Sequence, residues 1–336
     1  VDSLSGENIL VTGATGFIGK NLVDVLLRHG AHIHVMVRDV SKARKLLPHH
    51  GIHFIPGDLV NPRSWHEAIN ADTIFHLAGY AHAISDLDDR SSDVHKNITV
   101  DGTQHLLNAA VRAGVKRFIF ASSVKAMSEE TGSLCLDESS PAKPGSVYGH
   151  AKLKAEELVL AMGEKHGMHV CNLRLAMVFG PHNKGNLPRM IAAIDQGRFP
   201  PLPEVNNKRS MVHVNDVIQG MLLAAENPAA CGKTYILTDG HIYSTRQIYI
   251  SICTALGRRI PRWTLPVGML NIAAKLGDIA GRIQGGRSAL DSETLRKLIG
   301  SACYSSGKIT KELGYCPTRT LQDALPEMIA AYKASE

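Results

Sequence analysis

Ile9-Leu-Val-Thr-Gly-Ala-Thr-Gly-Phe-Ile-Gly19 is the stretch whose reading decides the fold. Ile9 to Val11 is a short apolar run, as a strand buried on both faces requires. The run breaks at Gly13, and Phe17, Ile18, Leu22, Val23, Leu26 and Leu27 then recur at helical spacing. Gly13, Gly16 and Gly19 stand at the strand-to-helix turn. Gly13 permits the turn, Gly16 lets a pyrophosphate approach the backbone, and Gly19 lets the helix lie close against the strand. With Thr15, Phe17 and Ile18 they form a loop whose following helix offers free N–H groups and a positive dipole end to phosphate. A second strand, Ile33 to Val37, arrives after Gly30. That βαβ setting turns three glycines into a dinucleotide-binding fingerprint.

Outward from this unit the alternation continues to about residue 180. Strands are predicted at Ile52–Ile55, Thr73–Leu77, Phe118–Ser122 and Val170–Leu175. Helices are predicted from Ser41, after Asn61-Pro62, over Ser92–Ala113 and from Gly149. Repeated βα units imply a parallel sheet covered by helices on both faces, an α/β Rossmann doubly wound fold. After Gly180-Pro181 the rhythm changes, and only Tyr235–Leu237 reads as another sheet strand. The expected organisation is a dinucleotide-binding domain over 1–180, to which 208–240 returns, and a smaller substrate-binding lobe from 181–207 and 241–336. Ligands of open α/β sheets sit at the carboxyl ends of the strands, which is where such a lobe belongs.

The chain has 336 residues, 44% of them hydrophobic, enough to bury a sizeable core. The net charge of +6 is dispersed, with no run of like charges, which suits an anionic small molecule and not a nucleic acid. No metal cluster is expected. Cys135, Cys171, Cys231, Cys253, Cys303 and Cys316 show no C-x-x-C pair. They read as reduced, mostly buried thiols of a cytoplasmic protein, without a disulfide framework. The apolar stretch Leu265–Ile283 carries Lys275, Asp278 and Arg282, so membrane insertion is not expected. It reads as an amphipathic helix covering a substrate pocket.

The second strand ends Val37-Arg38-Asp39. An acid at such an end accepts from a ribose 2′-OH, whereas an arginine suits a 2′-phosphate. Val37 takes the place of the acid and Arg38 follows, so NADP(H) is expected ahead of NAD(H). Asp58-Leu59 after the third strand and Leu77-Ala78-Gly79 after the fourth read as further cofactor walls. Tyr148 and Lys152 are four apart on one helix face and can point into one site. A lysine charge beside the phenol would move its pKa of about 10 towards the working range for acid–base chemistry. Ser122-Ser123 closes the fifth strand with a hydroxyl that can bond a substrate oxygen.

These motifs, taken with Asn97, Gly102-Thr103, Arg174, Phe179-Gly-Pro181 and Arg209-Ser-Met-Val-His-Val-Asn-Asp216, run in order over most of the chain. The sequence thereby resembles the extended short-chain dehydrogenase/reductases, in particular the nucleotide-sugar epimerase/dehydratase group. The resemblance implies Tyr148 as general acid/base and Ser123, 25 residues earlier, as the catalytic hydroxyl. It implies Lys152 on the nicotinamide ribose, Asn97 as a support, and Asn186, Leu187 and Arg209 on the nucleotide of the substrate. A homodimer through the helices at Ser92–Ala113 and Gly149–His166 is also implied. The sequence departs from the pattern at Met177, where sugar-nucleotide members often carry Asn, and has only Arg296 as a late partner for pyrophosphate. Val124-Lys125 stands where dehydratases place Asp and Glu, which argues against a 4,6-dehydratase. The expectation is reduction of a 4-keto nucleotide-sugar. The alternatives are a UDP-hexose or UDP-N-acetylhexosamine 4-epimerase with tightly bound NAD, a flavonoid- or steroid-type ketone reductase, or a non-catalytic dinucleotide sensor.

Overall fold

A computed structural model describes residues 4–80, 89–284 and 291–334. The first half alternates as its sequence pattern demands: β1 (Asn8–Thr12), α1 (Phe17–Arg28), β2 (His32–Val37), α2 (Val40–Leu46), β3 (Ile52–Pro56) and β4 (Thr73–His76). Next come α3 (Asp89–His95), α4 (Gly102–Arg112), β5 (Arg117–Ser123), α5 (Val147–His166) and β6 (His169–Leu175). The remainder supplies β7 (Met177–Phe179), α6 (Asn186–Asp195), β8 (Arg209–His213), α7 (Val214–Glu226), β9 (Lys233–Leu237) and β10 (Ile242–Tyr243). It ends with α8 (Thr245–Ala255), α9 (Val267–Gln284), α10 (Ser292–Ile299), α11 (Gly307–Leu313) and α12 (Leu321–Lys333).

Seven parallel strands stand in the order β3-β2-β1-β4-β5-β6-β9. Strand order reverses beside β1, between β2 and β4, so a crevice opens there above the carboxyl ends. Val11 of β1 lies opposite Val35 on one side and Phe75 on the other, and all three are fully buried. Helices cover both faces: α1 and α7 with Leu22, Leu26, Val217 and Met221 on one, α4 and α5 with Leu106, Leu107, Ala155 and Val159 on the other.

Three features differ from the sequence expectation. The helix expected after Asn61-Pro62 is a single 3-10 turn, Pro62–Ser64, because the Trp65 indole N–H turns back to the Asp58 carbonyl at 2.6 Å. The long helix expected over Ser92–Ala113 is interrupted by a π turn at Lys96–Asp101. Tyr235–Leu237 is not the only late strand. A second sheet, ordered β10-β8-β7, forms beside the first, so of residues 208–240 only β9 joins the large sheet. Short strands of two to five residues carry too little periodicity to be seen in sequence.

Candidate active site

The glycine loop and the end of β4 touch. Gly13 has φ +69°, and a Cβ there would lie 2.7 Å from the Ala78 nitrogen. A Cβ on Gly19 would fall inside van der Waals contact of the Gly13 carbonyl, which is the close helix–strand packing anticipated for it. Gly16 is the N-cap of α1, no side chain caps that helix, and its first turn holds no acid. Its N–H groups and dipole are thus left for an anion near Thr15, Phe17 and Ile18.

Beneath the loop runs a buried polar chain with one consistent direction. Thr103 donates to the Thr99 carbonyl at 2.5 Å, so its oxygen accepts from His76 Nε2 at 3.0 Å. His76 Nδ1 then accepts from the Thr12 hydroxyl at 2.7 Å, and Thr12 Oγ1 accepts the Ala78 N–H at 3.2 Å. Burial pushes His76 down to about 3, so the ring is neutral and its tautomer is set by its partners. The chain fixes Ala78, and with it Leu77 and Gly79, against the glycine loop.

Towards β2 and β3, Arg38 is exposed just past the strand end. The Asp39 carboxylate caps α2, accepting from the Lys42 N–H at 2.9 Å. Asp58 uses one carboxylate oxygen on the Val60 N–H at 3.1 Å, and Leu59 is buried against Gly102.

The catalytic candidates sit on the first two turns of α5. Ser146 caps this helix by accepting from the Gly149 N–H at 3.1 Å, and Glu129 accepts from the Ser146 hydroxyl and the Gly145 N–H. Gly149 lies so close to the Lys125 carbonyl that a Cβ would collide with it. This contact sets the start of α5 against the end of β5, where Ser123 lies near enough to Tyr148 to draw its phenol pKa down against burial. The Tyr148 ring meets His95 edge-on at 5.7 Å, and the Lys125 ammonium lies 5.7 Å from its centroid.

Lys152 is buried one turn further on, donating to the Ala121 carbonyl at 2.8 Å and lying over the Phe120 ring at 4.6 Å. Its Nζ is 3.3 Å from where a Gly79 Cβ would be. Beside it the buried Thr99 hydroxyl oxygen has no hydrogen-bond partner among the described residues. A missing side chain, a charged donor and an orphaned hydroxyl together make a cradle suited to a polar ring substituent such as a ribose. Burial raises the phenol to about 12, with the Ser123 bond opposing, and burial lowers Lys152 to about 8, with Glu156 opposing. The phenol therefore stands ready as a proton donor.

Glu156, His95, Lys125 and Glu129 were not foreseen. Glu156 is one turn beyond Lys152, and its buried carboxylate takes Arg174 in a forked pair, 2.7 Å at the closest, plus the Ser122 hydroxyl at 2.5 Å. The i, i+4 step from Lys152 was the available signal. Asn97 lies in the π turn with an exposed side chain.

On the lobe side, Asn186 is exposed at the start of α6, whereas Leu187 is turned into the lobe core with Phe179 and Ile191. Arg209 spends Nη1 on the carbonyls of Lys297 (2.6 Å) and Gly300 (3.1 Å), and makes no bond through Nε or Nη2 among the described residues. Arg296 pairs with Glu130 at 3.3 Å. The cysteine reading needs correction: Cys135 and Cys303 are disulfide-bonded, and Cys231 and Cys316 are exposed. The pair is 168 residues apart, brought together where Leu136 bridges Tyr304. The thiol argument for a cytoplasmic setting is thereby withdrawn. Among the described residues no helix is long and apolar enough to cross a membrane, and no cluster of His, Cys, Asp and Glu could hold a metal ion.

A model of the NAD dependent epimerase/dehydratase family matches residues 9–238. The chain belongs to this family. It is thus an NAD(P)-dependent enzyme of the short-chain dehydrogenase/reductase type, as the resemblance implied. It is 29% identical over 333 residues to a UDP-glucose 4-epimerase of Vibrio cholerae, covering 97% of this chain and 95% of the relative. It is 27% identical over 340 residues to a 3-beta-hydroxysteroid dehydrogenase of Mycolicibacterium neoaurum, covering 96% and 91%. The UDP-glucuronic acid 4-epimerase of Bacillus cereus, solved with UDP-glucuronic acid and NAD, has the same fold at a TM-score of 0.77 and 20% identity, covering 98% of this chain and 100% of that one.

Proposed function

We propose that the protein is a UDP-sugar 4-epimerase, with Tyr148, Ser123 and Lys152 as its catalytic residues. The observation that carries this reading is the buried Tyr148 phenol with Ser123 near enough to act on its ionisation, one helical turn before the Lys152 ammonium that lies at Gly79. Likeness to the Vibrio cholerae epimerase over nearly the whole of both chains supports it. Gly13, Thr15, Gly16, Phe17, Ile18 and Gly19 would hold the pyrophosphate of a dinucleotide, Asp58 and Leu59 its adenine, and Leu77 to Gly79 with Lys152 its nicotinamide ribose. The bound nicotinamide supplies a place for hydride to leave C4 of the sugar and return.

The residues do the proton work. Tyr148, protonated in the empty site, must first lose its proton; as phenolate it takes the proton from the C4 hydroxyl as the ketone forms, and returns it when the carbinol reforms with the other configuration. Ser123 donates to the same oxygen and holds it beside Tyr148. Lys152, with donors left over after Ala121, orients the ribose and stabilises phenolate when the tyrosine is ionised. Arg209 offers the N–H groups of Nε and Nη2 to a diphosphate and keeps the ketone sugar near Tyr148 between the two half-reactions.

Arg38 favours a second reading, reduction of a 4-keto nucleotide-sugar by NADPH. It is exposed at the end of β2 while Asp39, the competing acid, is engaged as a helix cap. A homodimer through α4 and α5 belongs to either reading, since Val111, Leu158, Leu160 and Met162 leave part of their apolar surface uncovered there.

The test is to denature the purified protein, identify any released nucleotide by mass, and incubate the native protein with UDP-glucose or UDP-N-acetylglucosamine without added cofactor. Released NAD and appearance of the C4 epimer support the epimerase. Turnover that consumes NADPH in proportion to a keto-sugar moves the assignment to the reductase. Activity on a sterol with no competition from UDP rejects both.

A further inference from the structure

α9 carries two apolar faces. Leu270 and Ala274 point inward and are buried with Leu202 and Leu295. The side chains of Arg282 and Ile283, at the end of the stretch read from sequence, lie outside the described residues. At 3.6 residues per turn, Met269, Ile272, Leu276 and Ile279 fall within an arc of roughly 80° on the other side. These four are 54–63% exposed. A helix that only covered a lobe would be polar there. Trp263, 62% exposed, and Ile260 add two exposed apolar side chains in the segment just before the helix. Contiguous apolar surface of this kind marks a site of interaction.

The charge around the patch selects the partner. Between Gly257 and Gly281 the chain places Arg258, Arg259, Arg262 and Lys275 against one acid, Asp278. All four cations are exposed, but Arg258 is paired with Asp195 at 2.8 Å, which leaves Arg259, Arg262 and Lys275, while Asp278 is engaged with the N–H and hydroxyl of Ser292. A second copy of this chain would bring the same cations to a two-fold contact, where like charges oppose one another. An anionic surface with an apolar interior complements both properties.

We propose that α9 and the Ile260–Trp263 segment form a docking surface for an anionic lipid leaflet. The apolar stripe and the indole enter the headgroup–acyl boundary, and Arg259, Arg262 and Lys275 meet lipid phosphates. The protein then lies on the bilayer without spanning it. None of the patch residues is among those assigned to the Tyr148 site, and the test needs no substrate.

The full chain is sedimented with vesicles of phosphatidylcholine alone and of equal parts phosphatidylcholine and phosphatidylglycerol, and its tryptophan emission is followed. The only other tryptophan, Trp65, is 1% exposed, so a change of emission reports Trp263. The expected result is binding to the mixed vesicles only, with a blue shift of emission and release by salt. Leu276→Glu should cut the bound fraction at least about tenfold. Arg262→Glu should cut it about fivefold. Both variants should melt at the wild-type temperature, since the altered side chains are exposed. Absence of binding to the mixed vesicles, or equal binding by folded Leu276→Glu, overturns the proposal. A wild-type oligomer that binds no vesicle and dissociates in Leu276→Glu overturns it in favour of a second copy.

Discussion

The two walls of the catalytic crevice are built differently. The cofactor wall is made of backbone brought into contact with backbone: Gly13 against Ala78, Gly19 against Gly13, with the buried Thr12–His76–Thr103 chain locking the strand ends from below. The lobe wall is made of loops tied by distant partners: Arg209 to the end of α10, Thr131 to Ser301, Leu136 to Cys303, and the Cys135–Cys303 bond. This second wall holds its arginine by Nη1 on two carbonyls of the lobe. Tyr148 sits at the seam, on a helix whose start is held by Glu129, from the loop that continues into the lobe wall.

The sharpest test acts at that seam. Tyr148→Phe should lower kcat about a thousandfold while dinucleotide affinity stays near wild type. A comparable loss of affinity would mean that the phenol helps build the cofactor wall. Next in size is Glu156→Gln, which leaves the Arg174 guanidinium buried against a neutral amide. Unfolding in urea should then show a loss of about 3 kcal/mol. A loss near zero would show that the pair is not what fastens α5 to the sheet.

The cofactor wall also has a pH signature. His76 falls from an ordinary value of 6.5 to about 3 in the folded protein, so the unfolded chain binds a proton that the folded chain refuses. Its stability contribution is complete above 6.5 and is lost as pH falls towards 3, with a slope of up to about 1.4 kcal/mol per pH unit. His76→Gln should flatten that part of the stability curve, and an unchanged slope would move the effect to another group. The smallest effect belongs to the lobe wall. Arg209→Lys should raise KM for a UDP-sugar about fivefold with kcat unchanged, because an ammonium cannot both hold the two carbonyls and present a planar fork. A change in kcat instead would place Arg209 in the chemistry.

The same contrast explains what was legible in the sequence. The glycine loop, the strand ends and the Tyr148–Lys152 spacing are short-range patterns, so each could be located to a residue or two. The sheet followed from repetition of one local unit. The lobe offered no such handle: β7, β8 and β10 are too short for a period, and the disulfide joins residues whose spacing carries no signal. Glu129 caps α5 across 17 residues of loop, and the π turn that places His95 beside Tyr148 interrupts what reads as one continuous helix. Trp65 was visible as an apolar residue, yet nothing local said that its indole N–H would end a helix after one turn.

The seat of Tyr148 depends on an atom that is not there. Because a Cβ at position 149 would strike the Lys125 carbonyl, the distance between α5 and the end of β5 is that of a bare Cα. Alanine at 149 would act as a spacer of one methyl, lifting the helix start and withdrawing the phenol from Ser123 while the fold around it survived. The working separation of proton donor and hydroxyl is thus a gauge ground to the thickness of a hydrogen atom, and a change with no chemistry of its own would detune it.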